Sequence, residues 1–99
     1  MKPLFLYLKY EYFDLVRRKK KMIEYREYKP YWIKRIKNQD EVIFANACKK
    51  YGIRLKAKII SIDVVPYIDL PPYVRRYFMN SPYKKFFAIK FKLIENKRN

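Results

Sequence analysis

The chain has no histidine and no threonine, and its 99 residues include one cysteine (Cys48), one glycine (Gly52) and one tryptophan (Trp32). Without histidine, and with a lone cysteine, the common zinc sites and histidine-based acid–base arrangements cannot be assembled from one chain. A disulfide framework is excluded too, which fits a reducing, cytoplasmic setting. Acid is also scarce, with 9 Asp or Glu against 25 Lys or Arg and a formal charge of +16. No apolar run approaches the roughly 20 residues of a membrane span. The opening MKPLFLYLK has the start of a signal peptide, but its apolar run is short and leads into charged EYFD with no small-residue cleavage site. Neither cofactor nor metal is expected.

What is present is apolar and aromatic. Hydrophobic residues make up 51% of the chain and aromatics 19%, with eleven Tyr and seven Phe, so the high charge does not signal disorder. The length accommodates one domain, expected over residues 1–95, with a frayed basic tail over 96–99. Heavy Lys and Ile use with a single Gln matches a thermophile's bias, and an AT-rich genome gives the same signature.

Periodicity sets the order of elements. Leu4, Leu6 and Leu8 alternate with Phe5, Tyr7 and Lys9, the period of a strand with one buried face. From Tyr10 the period becomes helical, with Tyr12, Phe13 and Val16 on one stripe, and the segment ends in Arg17, Arg18, Lys19, Lys20 and Lys21, where cations suit a helix C-terminus. Met22 to Tyr28 returns to strand chemistry. KPYWIKRIKNQ reads as a loop with one helical turn at most, Asp40 to Ala47 as a strand, and KKYG as a turn in which Gly52 can supply a positive φ. Arg54 to Val65 is a long strand with a bulge or bend in its second half, where both faces are apolar. Asp69 followed by Pro71 and Pro72 reads as a carboxylate-capped helix start, with Tyr73, Val74, Tyr77 and Phe78 as its apolar face and Arg75 and Arg76 toward solvent. Phe86 to Ile94 is the last strand, with Phe87, Ile89, Phe91 and Leu93 inward. The sum is an α+β fold: a small mixed β-barrel of five or six strands with two short helices.

The sharpest chemical signal is Lys21-x-x-Glu24-x-Arg26. On a strand, Glu24 and Arg26 share a face and Lys21 stands at the strand's start. One carboxylate between two cations fixes their direction and leaves donors for an anionic or carbonyl-bearing ligand. The same spacing equally suits a cross-strand salt bridge on a solvated face. A second signal is clustering: ten of the 25 basic residues lie between Arg17 and Lys37, against only Glu24 and Glu27. Such a field attracts polyanions. Tyr25, Tyr28, Tyr31 and Trp32 interleave with these cations, as base stacking requires. Trp32 could equally plug the end of the barrel. The candidate nucleic-acid contacts are therefore Arg17, Arg18, Lys19, Lys20, Lys21, Arg26, Lys29, Trp32, Lys34, Arg35, Arg75 and Arg76. The partner expected is RNA or single-stranded nucleic acid, not a membrane, because neither helix pairs a cationic face with a long apolar one. Cys48, with no partner for chemistry, reads as inert.

The order strand, YFDLV helix, basic turn, KMIEYR, aromatic-basic loop, DEVIF, KAKIISI and FFAIKFKLI resembles the ASCH domains of the PUA-like superfamily over about residues 4 to 94. Their signature, G-x-K-x-x-E-x-R, falls here on Lys19, Lys21, Glu24 and Arg26, with Lys19 where the glycine usually stands and Asn38-Gln39 where a Pro/Gly pair is common. The resemblance implies a PUA-like barrel with a cleft beside the signature strand, and RNA or modified-nucleotide binding. Some members are ribonucleases or amidohydrolases of acylated cytidine; by that carry-over Lys21 would be the reactive amine or base and Glu24 its neighbour, at a position occupied by Thr in the amidohydrolase branch. The acidic residue that assists there is missing from Leu70 to Phe86, which contains no Asp or Glu, and only Asp69 at its edge could substitute. A third reading is a basic subunit that docks on a ribonucleoprotein.

Overall fold

Leu4, Leu6 and Leu8 are buried and Tyr7 between them is exposed, which is the alternation expected of a strand with one face on the core. This strand, β1 (Leu4–Leu8), opens a domain that the computed structural model describes over residues 3–46 and 54–94. Next come α1 (Tyr10–Arg17), β2 (Ile23–Glu27), α2 (Pro30–Ile36), β3 (Glu41–Asn46) and β4 (Arg54–Pro66). A 3₁₀ turn (Tyr67–Asp69), α3 (Pro72–Tyr77) and β5 (Lys85–Leu93) complete the order. The strands form one five-stranded sheet in the order β1-β3-β4-β5-β2, with β1 and β3 parallel and the other pairs antiparallel. It is an α+β half-barrel, and β1 and β2 are its two free edges.

The main core lies inside the curve. Phe13 and Val16 of α1 and Ile36 of α2 pack there with Leu6, Val42, Phe44, Ala57, Phe87, Ile89 and Phe91. A second cluster occupies the other side of the sheet, where Leu70, Val74 and Phe86 are joined by Tyr25, Val65, Tyr67 and Phe78. That is why β5 buries both Phe86 and Phe87, neighbours on opposite faces. The bend expected in the long strand is a register shift between Ile59 and Ser61.

Several expectations need correction. The aromatic-basic segment is a helix, not a loop: Pro30 is in its first turn, and Trp32, Ile33 and Ile36 turn to the core at helical spacing. The described residues thus hold three short α-helices where two were expected. Asp69 does not cap α3; the cap position is Pro71, with no side-chain hydrogen bond, and Asp69 lies in the preceding 3₁₀ turn. Arg75 is not directed to solvent, because its Nη1 donates to the Ile68 and Leu70 carbonyls at 3.1 and 3.0 Å and ties the 3₁₀ turn to α3. The KKYG turn, Cys48, and the tail over 96–99 lie outside the described residues.

The turn after α1 determines where the signature strand starts. Lys19 has φ 61°, its N–H donates to the Val16 carbonyl at 2.9 Å, and Lys20 N–H donates to the Leu15 carbonyl at 2.8 Å. This is a Schellman closure with a lysine in the left-handed position that glycine usually fills. A side chain there costs about 1–2 kcal/mol. Lys19→Gly is therefore expected to raise stability by up to about 1 kcal/mol, allowing for glycine's greater freedom when unfolded. Thermal unfolding should show a gain of several degrees, and Lys19→Val a loss.

Candidate functional site

β2 is an edge strand, and antiparallel pairing leaves alternate backbone groups of an edge strand unused. Phe91 N–H donates to the Met22 carbonyl and Tyr28 N–H to the Lys85 carbonyl, so the even-numbered residues of β2 bond to β5. The backbone N–H and C=O of Tyr25 therefore face the open seam between β2 and β1. Lys21 closes part of that edge by donating from Nζ to the Ile23 carbonyl.

The Lys21, Glu24 and Arg26 side chains meet at this seam. Glu24 is 7% exposed; its Oε1 is 2.9 Å from Lys21 Nζ and its Oε2 is 2.7 Å from Arg26 Nη2. Arg26 Nη2 also donates to the Tyr7 carbonyl at 3.2 Å, so a β2 side chain binds the far edge, β1. The guanidinium sits 5.1 Å from the Trp32 ring centroid, and its Nε is buried with no hydrogen bond inside the protein. The trio is thus buried and convergent, not a salt bridge on a solvated face.

Around it opens a cavity of about 410 Å³. Its floor is Lys21, Glu24 and Arg26; aromatic walls come from Tyr7, Tyr12, Trp32, Tyr73 and Tyr77. Tyr73 and Tyr77 are 55% and 59% exposed, and Tyr77 meets Tyr12 edge-on at 6.3 Å, so α3 and α1 touch over the cleft. At one lip Glu27 accepts from Ser81 Oγ at 2.5 Å and pairs with Lys29 at 3.2 Å, which fastens the loop after α3 to the end of β2. Burial, and then the neighbouring Tyr73, push the Tyr25 phenol above its ordinary value of 10.0.

The candidate contacts divide into three groups. Lys21, Arg26, Lys29 and Trp32 line this cleft. Arg26 and Trp32 also border a wider groove of about 780 Å³ with Lys34 and Arg35, where Arg35 stacks 3.6 Å from the Tyr31 ring centroid. Trp32 is at once partly packed on the core and a wall of both cavities. Arg17, Arg18, Lys19 and Lys20 are exposed at the end of α1 and do not line the cleft; Arg17 and Arg18 pair with Asp14, whose carboxyl is held below its usual range chiefly by its hydrogen bond from Arg17. Arg76 is exposed and Arg75 is committed to carbonyls. Tyr7, Tyr12, Tyr73 and Tyr77 were not legible as site residues. The only signal was the i, i+4 spacing of Tyr73 and Tyr77, which reads equally well as core.

No family model matches the chain, and no curated protein does. Solved structures that share its fold include two small proteins. The crystal structure of hypothetical protein PH0355 superimposes with a TM-score of 0.63 at 22% identity, covering 94% of this chain and all of that one. The solution NMR structure of PF0455 from Pyrococcus furiosus gives 0.55 at 21% identity, covering 96% of this chain and all of that one.

Glu24→Gln leaves Lys21 and Arg26 facing each other without a buried counter-charge. Chemical denaturation should show a loss of about 2–4 kcal/mol, far more than Asp14→Asn causes at the surface. The raised phenol of Tyr25 contributes stability that is complete below pH 10 and is lost as pH rises through its folded-state value. The fall in stability above pH 10 should therefore be shallower in Tyr25→Phe, measured by denaturant midpoints across an alkaline series.

Proposed function

We propose that the chain is an RNA-binding module of the ASCH/PUA-like kind, whose cleft takes one nucleotide. The observation that carries this reading is a carboxylate-fixed pair of cations at the foot of an aromatic-walled cleft. About 410 Å³ lies in the range of small-ligand sites, with room for one base and its sugar or phosphate. Tyr and Trp faces suit stacking of an unpaired base, and Lys21 and Arg26 suit a phosphate or a base carbonyl. Tyr25 adds a backbone donor and acceptor side by side, the pattern that meets a base edge. Arg26 Nε is a further donor with no partner in the protein.

A hydrolase centred on Lys21 is less well supported. Its ammonium is engaged by Glu24 and the Ile23 carbonyl, holding the start of β2 in place. Among the described residues no three His, Cys, Asp or Glu side chains cluster to hold a metal. Docking on a ribonucleoprotein leaves the concave, aromatic-walled shape of the cleft without a use.

The single Trp gives a direct readout. Titration with short single-stranded RNA should change Trp32 fluorescence. If about five side chains meet phosphates, affinity should fall with salt at a log–log slope near −3.5. Arg26→Ala should weaken binding about tenfold or more with catalysis nowhere detected, whereas a hydrolase would lose turnover in Lys21→Ala while keeping affinity. No fluorescence change at 50 mM salt, or binding indifferent to salt, excludes the reading.

A further inference from the structure

The outer face of the sheet carries a second concentration of charge, away from the cleft. Alternate residues of β4 on that face are Arg54, Lys56 and Lys58, all exposed, and those of β5 are Lys90 and Lys92, also exposed. The register sets them side by side: Lys58 is directly opposite Lys92, and Ser61 opposite Lys90. Residues two apart on a strand are about 7 Å apart and neighbouring strands about 4.8 Å, so these cations form a close two-row array. Like charges directly opposite on a sheet are destabilising. Three carboxylates share the face: Glu27, held by Lys29 and Ser81, Asp63, and Glu41, which is directly opposite Lys58 and lies 3.6 Å from Lys56 with both side chains open to water. Lys90 is opposite Ile23, so the array ends one strand from the exposed basic turn that precedes β2.

We propose that this face is a track for the phosphodiester backbone of a nucleic acid, separate from the cleft. Flat rows of ammonium groups with no accompanying hydrogen-bond network fit repeating phosphates and carry no means of reading sequence. The apolar neighbours on this face, half-buried Phe5 and Ile43, exposed Tyr7, and Ile60 at the bulge, are interrupted by Arg54 and the lysines and do not make the continuous apolar face that insertion into a lipid surface requires. The proposal shares with the cleft reading only the class of partner.

The test is fluorescence anisotropy with a 20-nucleotide single strand and a duplex of equal length, at several salt concentrations. A triple variant, Lys56→Ala with Lys58→Ala and Lys92→Ala, should bind about tenfold more weakly, equally for every sequence, with a salt slope reduced by about 2. Its melting temperature should change little, because the Lys58–Lys92 repulsion is lost together with the weak, exposed attractions of Lys56 and Lys58 to Glu41. A cleft variant, Lys21→Ala with Arg26→Ala, should keep this backbone binding and lose the Trp32 signal, so each site can fail alone. Unchanged affinity and slope in the folded triple variant overturn the track. On the unaltered protein, bound RNA should protect Lys56, Lys58 and Lys92 from amine acetylation, and absence of protection likewise overturns it. Equal protection by phosphatidylserine vesicles overturns the assignment to nucleic acid.

Discussion

Everything near the cleft depends on how an open half-barrel holds its two edges together. β1 and β2 are the ends of the sheet and share no backbone hydrogen bonds, so side chains must span the gap. Arg26 does so, reaching from β2 to the Tyr7 carbonyl on β1. Glu24 makes this possible by holding the guanidinium from one side while Lys21 holds Glu24 from the other. Removing the carboxylate would undo a structural closure and the arrangement of the cleft floor together. A buried ion pair is weak evidence for stability in general; here its value is positional, because it fixes a seam that no strand pairing can fix.

The cleft also explains the use of so many tyrosines. A chain of this size has too little interior for eleven of them. Tyr12 and Tyr77 meet edge to face, and together with Tyr73 they form a wall. An aromatic ring does this with little loss of conformational freedom, having two side-chain torsions to fix, so a small domain obtains a shaped cavity without a second layer of structure.

Much of the fold was legible because it rests on period. The alternation in Leu4–Leu8 and in Phe87, Ile89 and Phe91, and the helical stripe of Phe13 and Val16, place the core with no tertiary information. α2 was not legible, because its seven residues interleave Lys and Arg with aromatics, and burial of Trp32, Ile33 and Ile36 decides its conformation more than propensity does. The Lys21, Glu24 and Arg26 trio was visible as a spacing, but whether it faced solvent or a cleft depended on β2 being an edge, which is a fact of strand order. The aromatic wall was hidden for the same reason: Tyr73 and Tyr77 are far from β2 in sequence, and only the packing of α3 on Phe86 brings them to the seam.

The free edges have one more consequence. Exposed strand edges invite pairing with another copy of the chain, and natural proteins guard against it with short strands and with charge. Both edge strands here have five residues, and every copy carries a formal charge of +16. Mutual repulsion therefore opposes the pairing of one copy's edge with another's. Any condition that neutralises the molecule removes that repulsion and leaves the shortness of the two edge strands as the remaining guard.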